Sequence, residues 1–122
     1  MTLKKSLLIV DDSELQRIII KKGIQSLCPD WEIYEAKNSS EVLKIIKDKN
    51  IDFFSIDFNM PGLNGLKLME KLNIKFPDAK KVLLTASLQD AITEKANLLG
   101  GKCIHKPITE KTIEFLVDYF KI

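Results

Sequence analysis

Apolar and polar positions alternate along this chain in blocks. Short apolar runs begin near Ser6, Trp31, Asp52, Lys81 and Lys102, at about the interval a strand–helix unit requires. Leu7-Leu8-Ile9-Val10, Phe53-Phe54-Ser55-Ile56 and Val82-Leu83-Leu84 are almost wholly apolar. Strands covered by helices on both faces read this way. Helical periodicity fills the intervals. It is clearest at the end, where Ile113, Leu116, Val117 and Phe120 recur at i, i+3, i+4 and i+7 behind Thr109 as N-cap. The second helix puts Val42, Ile45 and Ile46 on one face, and Asn38 with Glu41 gives it a capping-box-like start. The first, roughly Ser13 to Leu27, carries Leu15, Ile18 and Ile19 as its apolar positions and stops before Pro29. Gly65 to Phe76 and Leu88 to Leu99 supply the third and fourth, and Gly100-Gly101 ends the fourth where φ > 0 is needed.

The pattern predicts an α/β fold of five βα units: a five-stranded parallel sheet with helices on both sides and right-handed crossovers. No linker, repeat or low-complexity segment interrupts it, and residues 1–122 read as a single domain. The length suits one domain with a real core and is too short for two. Hydrophobic residues at 45% and charged residues at 30% fit an ordinary globular protein. The net charge of +2 is dispersed, which argues against nucleic acid or an anionic membrane surface as partner. Met1 to Lys5 could mimic a basic signal-peptide start, but the apolar stretch behind it is short and stops at two aspartates, which argues against export. No run approaches the ~20 apolar residues of a membrane span. Cys28 and Cys103 have no metal-ligand spacing and read as reduced thiols of a cytoplasmic protein.

The candidate chemistry lies where the apolar runs end. Asp11-Asp12 closes the first, Asp57 the third, Thr85 the fourth, and Lys106-Pro107 the fifth. In a parallel sheet these ends converge on one edge, where open α/β sheets place their sites. Asp11 and Asp12 could simply favour a helix N-terminus, and Asp57 could be an acidic turn residue. Together, three carboxylates at one edge repel one another unless a cation sits among them or one takes a proton. Hard oxygen ligands with room for water suit Mg²⁺ or Mn²⁺. A carboxylate nucleophile, a cation, a hydroxyl and a lysine make up what in-line phosphoryl transfer to an aspartate needs.

Val10-Asp11-Asp12-Ser13, Ile56-Asp57-Phe58-Asn59-Met60-Pro61-Gly62, Leu84-Thr85-Ala86 and Lys106-Pro107 occur in that order. The chain thereby resembles, over essentially its whole length, the receiver domain of two-component response regulators, especially the single-domain chemotaxis type. The resemblance implies a flavodoxin-like strand order 2-1-3-4-5. It implies that Asp57 is the phosphoacceptor, that Asp12 ligates Mg²⁺ directly and Asp11 partly through water, and that Asn59 gives its backbone carbonyl to the metal. Thr85 and Lys106 would hold the phosphoryl group, with a cis Lys106-Pro107 peptide. Asn59 and Ser87 would flank the path of the hydrolytic water. The implied donor is a sensor histidine kinase or histidine phosphotransfer protein, and an altered face would then bind a downstream protein target.

One position departs from the family. Receivers commonly carry Tyr or Phe three residues before the lysine, and here that residue is Cys103. A cysteine cannot fill a ring's volume. The switch is therefore expected to rely on Thr85 and the segment Ala86 to Gly100. Cys103 is read either as partner-facing surface beside His105 or as a small half-buried strand residue. Two ligands, Cys103 and His105, make no metal site by themselves. Trp31 and Tyr34 are read as packing residues of the second strand.

Two other readings use the same residues. A haloacid-dehalogenase-type phosphatase also needs Asp, Mg²⁺, Thr/Ser and Lys, but places Asp-x-Asp after its first strand. Here Asp57 follows the third, and the position two on is Asn59. Alternatively the chain is a receiver excised from a larger regulator or hybrid kinase. Met1 reads as a natural start, and whether the gene continues past Ile122 discriminates that case.

Overall fold

The computed structural model describes residues 4–122. Five strands and five helices alternate: β1 (Ser6–Val10), α1 (Glu14–Leu27), β2 (Glu32–Ala36), α2 (Ser39–Asp48), β3 (Phe53–Asp57), α3 (Gly65–Lys75), β4 (Lys80–Thr85), α4 (Asp90–Leu98), β5 (Lys102–His105) and α5 (Glu110–Lys121). The strands are all parallel in the order β2-β1-β3-β4-β5. Each expected strand start lies within one residue of the observed one. Of the signal-like start considered above, residues 1–3 lie outside the described residues. No helix among the described residues is long and apolar enough to cross a membrane.

Burial follows the sheet. Every residue of β1 and β3 is buried, whereas the edge strands β2 and β5 are only partly covered. Two cores sit on opposite faces, as the alternation of a pleated strand dictates. Leu8, Val10, Phe54, Ile56 and Leu83 pack against Val42 of α2, Leu68 and Leu72 of α3, and Ile92 of α4. Leu7, Ile9, Phe53, Val82 and Leu84 pack against Ile20 and Ile24 of α1 and Ile113, Leu116 and Phe120 of α5. Trp31 is a packing residue as expected, its ring 4.8 Å from that of Phe53.

Helix α1 corrects the sequence reading. Its core-facing residues are Ile20 and Ile24, while Leu15, Ile18 and Ile19 are 67%, 39% and 43% exposed. The helix carries two apolar stripes, and packing against α5 selects the one that contains Gly23. A Cβ at Gly23 would stand 2.9 Å from Ile113 Cγ1. Helix α4 begins at Asp90 rather than near Leu88, because Ser87 Oγ accepts the Gln89 N–H and holds the chain in a turn there. Gly100, at φ +79°, ends that segment as expected. Thr109 caps α5 in a full capping box with Thr112.

Candidate functional site

The strand order brings the ends of β1, β3, β4 and β5 to one edge. Carboxylate oxygens of Asp11, Asp12 and Asp57 lie within 4.8 Å of one another. Asp11 and Asp57 are buried and Asp12 is exposed. Lys106, just past β5, puts Nζ 2.8 Å from Asp57 Oδ1. This buried ion pair draws the Asp57 carboxyl down against the effect of burial. Lys106 is held by its own N–H, which donates to Thr85 O at 2.8 Å, and its peptide to Pro107 is cis, as expected.

Asp11 is the most tightly placed member. Its N–H donates to Ala36 O at 3.0 Å, and its Oδ1 accepts the Ser13 N–H at 2.9 Å. Oδ2 is buried without a partner. Burial, opposed by the Ser13 N–H and reinforced by the Asp57 charge, pushes its carboxyl up to about 6. Burial likewise raises the Asp57 carboxyl, against the pull of the Lys106 ammonium. Asp11 Oδ2, buried without a donor, Asp57 Oδ1, faced by one ammonium, and a third carboxylate form an anionic pocket that this ammonium does not neutralise. A small hard cation fits such a donor set.

Thr85, the last residue of β4, is buried, and its Oγ1 accepts the Ser87 N–H at 3.0 Å. Its own hydroxyl proton remains available to an incoming oxygen. Asn59 is exposed in the loop after β3, and its backbone N–H helps hold the Asp57 carboxyl down. Gly65 closes that loop: its N–H donates to Phe58 O at 2.9 Å, and a Cβ there would stand 2.5 Å from Asp57 O. Glycine is thus required by close approach rather than by φ. Cys103 is not gathered into the site. It is half-buried and packs against the core on the α3–α4 face, while His105 is exposed. This half-burial fits Cys103 as a strand residue, and the two readings differ only in whether its thiol changes access on phosphorylation.

Sequence reasoning missed Arg17. It is 14% exposed, donates from Nη1 to Asp11 O at 2.6 Å, and pairs through Nε with Glu35 Oε1 at 3.2 Å. Its place on the stripe Arg17, Ile20, Ile24, at i, i+3 and i+7, was the available signal: an arginine on a core-facing row, directly after an acidic pair.

The response regulator receiver domain model matches residues 7–118. The chemotaxis protein CheY of Listeria monocytogenes is 32% identical over 97 residues, covering 79% of this chain and 80% of that one. The solved structure of Vibrio cholerae CheY4 superposes with a TM-score of 0.86 at 19% identity, over 97% of this chain and 99% of that one. A Burkholderia pseudomallei response regulator, solved with a phosphorylated aspartic acid, a calcium ion and citrate, gives 0.81 at 24% identity, over 93% and 66%.

Proposed function

This chain belongs to the response regulator receiver family, and on that premise we propose that it is a phosphoacceptor switch of a two-component phosphorelay. Receiver domains are regulatory switches, and the single receiver unit proposed here spans residues 1–122. The observation that carries the reading is the Asp57 carboxylate, buried at the strand edge with Lys106 Nζ at 2.8 Å and the Asp11 and Asp12 oxygens within 4.8 Å.

In the proposed reaction an Asp57 oxygen attacks the donor's phosphorus in line. The new O–P bond forms as the P–N bond to the donor histidine breaks, and the electron pair leaves with the imidazole. Lys106 neutralises the attacking carboxylate before transfer and takes up a phosphoryl oxygen afterwards. Thr85 donates its hydroxyl to a second phosphoryl oxygen. Asp11, Asp12, Asp57 and the backbone carbonyl of Asn59 would hold Mg²⁺, or Mn²⁺ in its place. The ion supplies charge neutralisation and a template for the phosphoryl oxygens. The Burkholderia protein, with its phosphorylated aspartic acid and calcium ion, supports pairing these two features. Asn59 and Ser87 would position or exclude the water that later hydrolyses the acyl phosphate, and small donors such as acetyl phosphate would also serve.

The proposed donor is a sensor histidine kinase or histidine phosphotransfer protein. The proposed target is a downstream protein, with neither nucleic acid bound directly nor a membrane entered, in the cytoplasm. Incubation with acetyl phosphate and Mg²⁺ followed by intact mass tests the reading. One added phosphoryl group is expected, and unchanged labelling of Asp57→Asn would reject it.

A further inference from the structure

Asp11 is braced through its backbone as well as its side chain. We infer that Arg17, oriented by Glu35, is a positioning residue that fixes the β1–α1 turn so that Asp11 Oδ2 stays aimed into the acidic cluster. The inference rests on the metal reading of that cluster given above.

The turn is gripped at three points. The Asp11 N–H donates to Ala36 O, the Ser13 N–H donates to Asp11 Oδ1, and Arg17 Nη1 donates to Asp11 O at 2.6 Å. The first two are local consequences of sheet pairing and of the helix start. The third is a long side chain brought back from the first turn of α1. A flexible arginine holds one geometry only if its fork is anchored twice. Glu35, on the edge strand β2, supplies the second anchor at 3.2 Å from Nε. Lys21 Nζ, 3.4 Å from the other Glu35 oxygen, holds that carboxylate in turn. The chain Lys21–Glu35–Arg17–Asp11 thus ties α1 and β2 to the loop that carries two of the three carboxylates. Arg17 is nearly buried, so this contact is shielded from the screening that weakens exposed ion pairs. Partners that orient a metal ligand in this way commonly account for ten- to a hundredfold in metal affinity.

Lysine at position 17 keeps the charge but cannot reach Asp11 O and Glu35 together as a fork. Arg17→Lys and Arg17→Ala should therefore both weaken Mg²⁺ binding about tenfold, read from the Mg²⁺ concentration that gives the half-maximal thermal shift. Glu35→Gln should weaken it a few-fold. The acetyl phosphate rate at saturating Mg²⁺ should stay near that of the parent protein, because the reacting groups are untouched. Lower thermal midpoints with an unchanged Mg²⁺ requirement in all three variants would make Arg17 purely structural and overturn the inference. If Arg17→Ala does not fold, Arg17→Lys and Glu35→Gln decide it by the same readout. A parent protein that shows no Mg²⁺ response and no Asp57 labelling would instead remove the metal reading itself.

Discussion

The same sheet buries charge at both ends, and the two ends treat it differently. At the N-terminal end of β4, Lys81 is 2% exposed, yet its Nζ donates to Phe76 O at 2.6 Å and Ala79 O at 2.8 Å. Lys80 beside it donates to Tyr119 O in the last turn of α5 and to Ile122 O just past it. These ammonium groups bond to backbone oxygens in and just past the ends of α3 and α5. At the C-terminal end, Asp11 Oδ2 is buried with no hydrogen-bond partner, and Asp57 Oδ1 is buried with only the Lys106 ammonium beside it. A buried polar group without a partner costs stability. One end ties its buried charge to backbone oxygens, and the other leaves it gathered in a cluster that we propose takes a cation and a phosphoryl group.

The largest effect that could break this comparison is at Asp57. Asp57→Asn should lose all acetyl phosphate labelling by intact mass while the protein stays folded. Retained labelling would place the acceptor elsewhere and erase the distinction between the ends.

Next comes metal-free stability. Asp11 titrates at about 6 in the folded protein against an ordinary value of 3.8, so the folded state binds the proton more tightly. Its stabilising contribution is full below 3.8 and is lost as the pH rises through 6. Without metal, thermal midpoints should rise as pH falls from 7 towards 5. The ceiling is about 3 kcal/mol, at 1.36 kcal/mol per unit of pKa. Asp11→Asn should flatten that trend and raise the midpoint at pH 7. A profile identical to that of the parent would mean that burial does not raise the Asp11 carboxyl.

Lys81→Met tests the opposite end. It should cost about 1–3 kcal/mol in urea unfolding, by removing the buried ammonium that bonds Phe76 O and Ala79 O. Labelling at Asp57 should be untouched, and a coupled loss of labelling would show that the ends are not independent. The smallest effect is at Asn59. An Asn59→Leu variant should keep full stoichiometry and change the phosphoryl half-life by less than about tenfold, or ~1.4 kcal/mol in barrier. Equal half-lives, measured by decay of the phosphorylated mass, would remove Asn59 from the water's path.

Legibility in the sequence followed how much of each element is decided locally. Strands β1, β3 and β4 could be read because burial on both faces leaves no polar alternation to misread, as in Leu7-Leu8-Ile9-Val10. The cap at Thr109 and the terminating Gly100 are set within a few residues and could be read for the same reason. The apolar face of α1 could not. Leu15, Ile18 and Ile19 form as good a stripe as Ile20 and Ile24, and only the approach of α5 at Gly23 decides between them. In the site, Asp57 and Lys106 stood out because each ends an apolar run. Arg17 did not, because its function depends on Glu35, 18 residues away on a neighbouring strand.

Gly65 has a mechanical consequence. With its Cα pressed against the last residue of β3, α3 has no slack beside Asp57. The opposite flank is built otherwise: α4 is the shortest helix, its first turn has no side-chain cap, and Leu88 and Leu98 on either end are more than four-fifths exposed. The acceptor therefore sits between an anvil and a spring. Volume added at Asp57 has little room to be absorbed towards α3, and we propose that the yielding direction runs through Thr85 into the segment before α4. Gly65 thus gives the site a direction of yield without itself touching the reacting atoms.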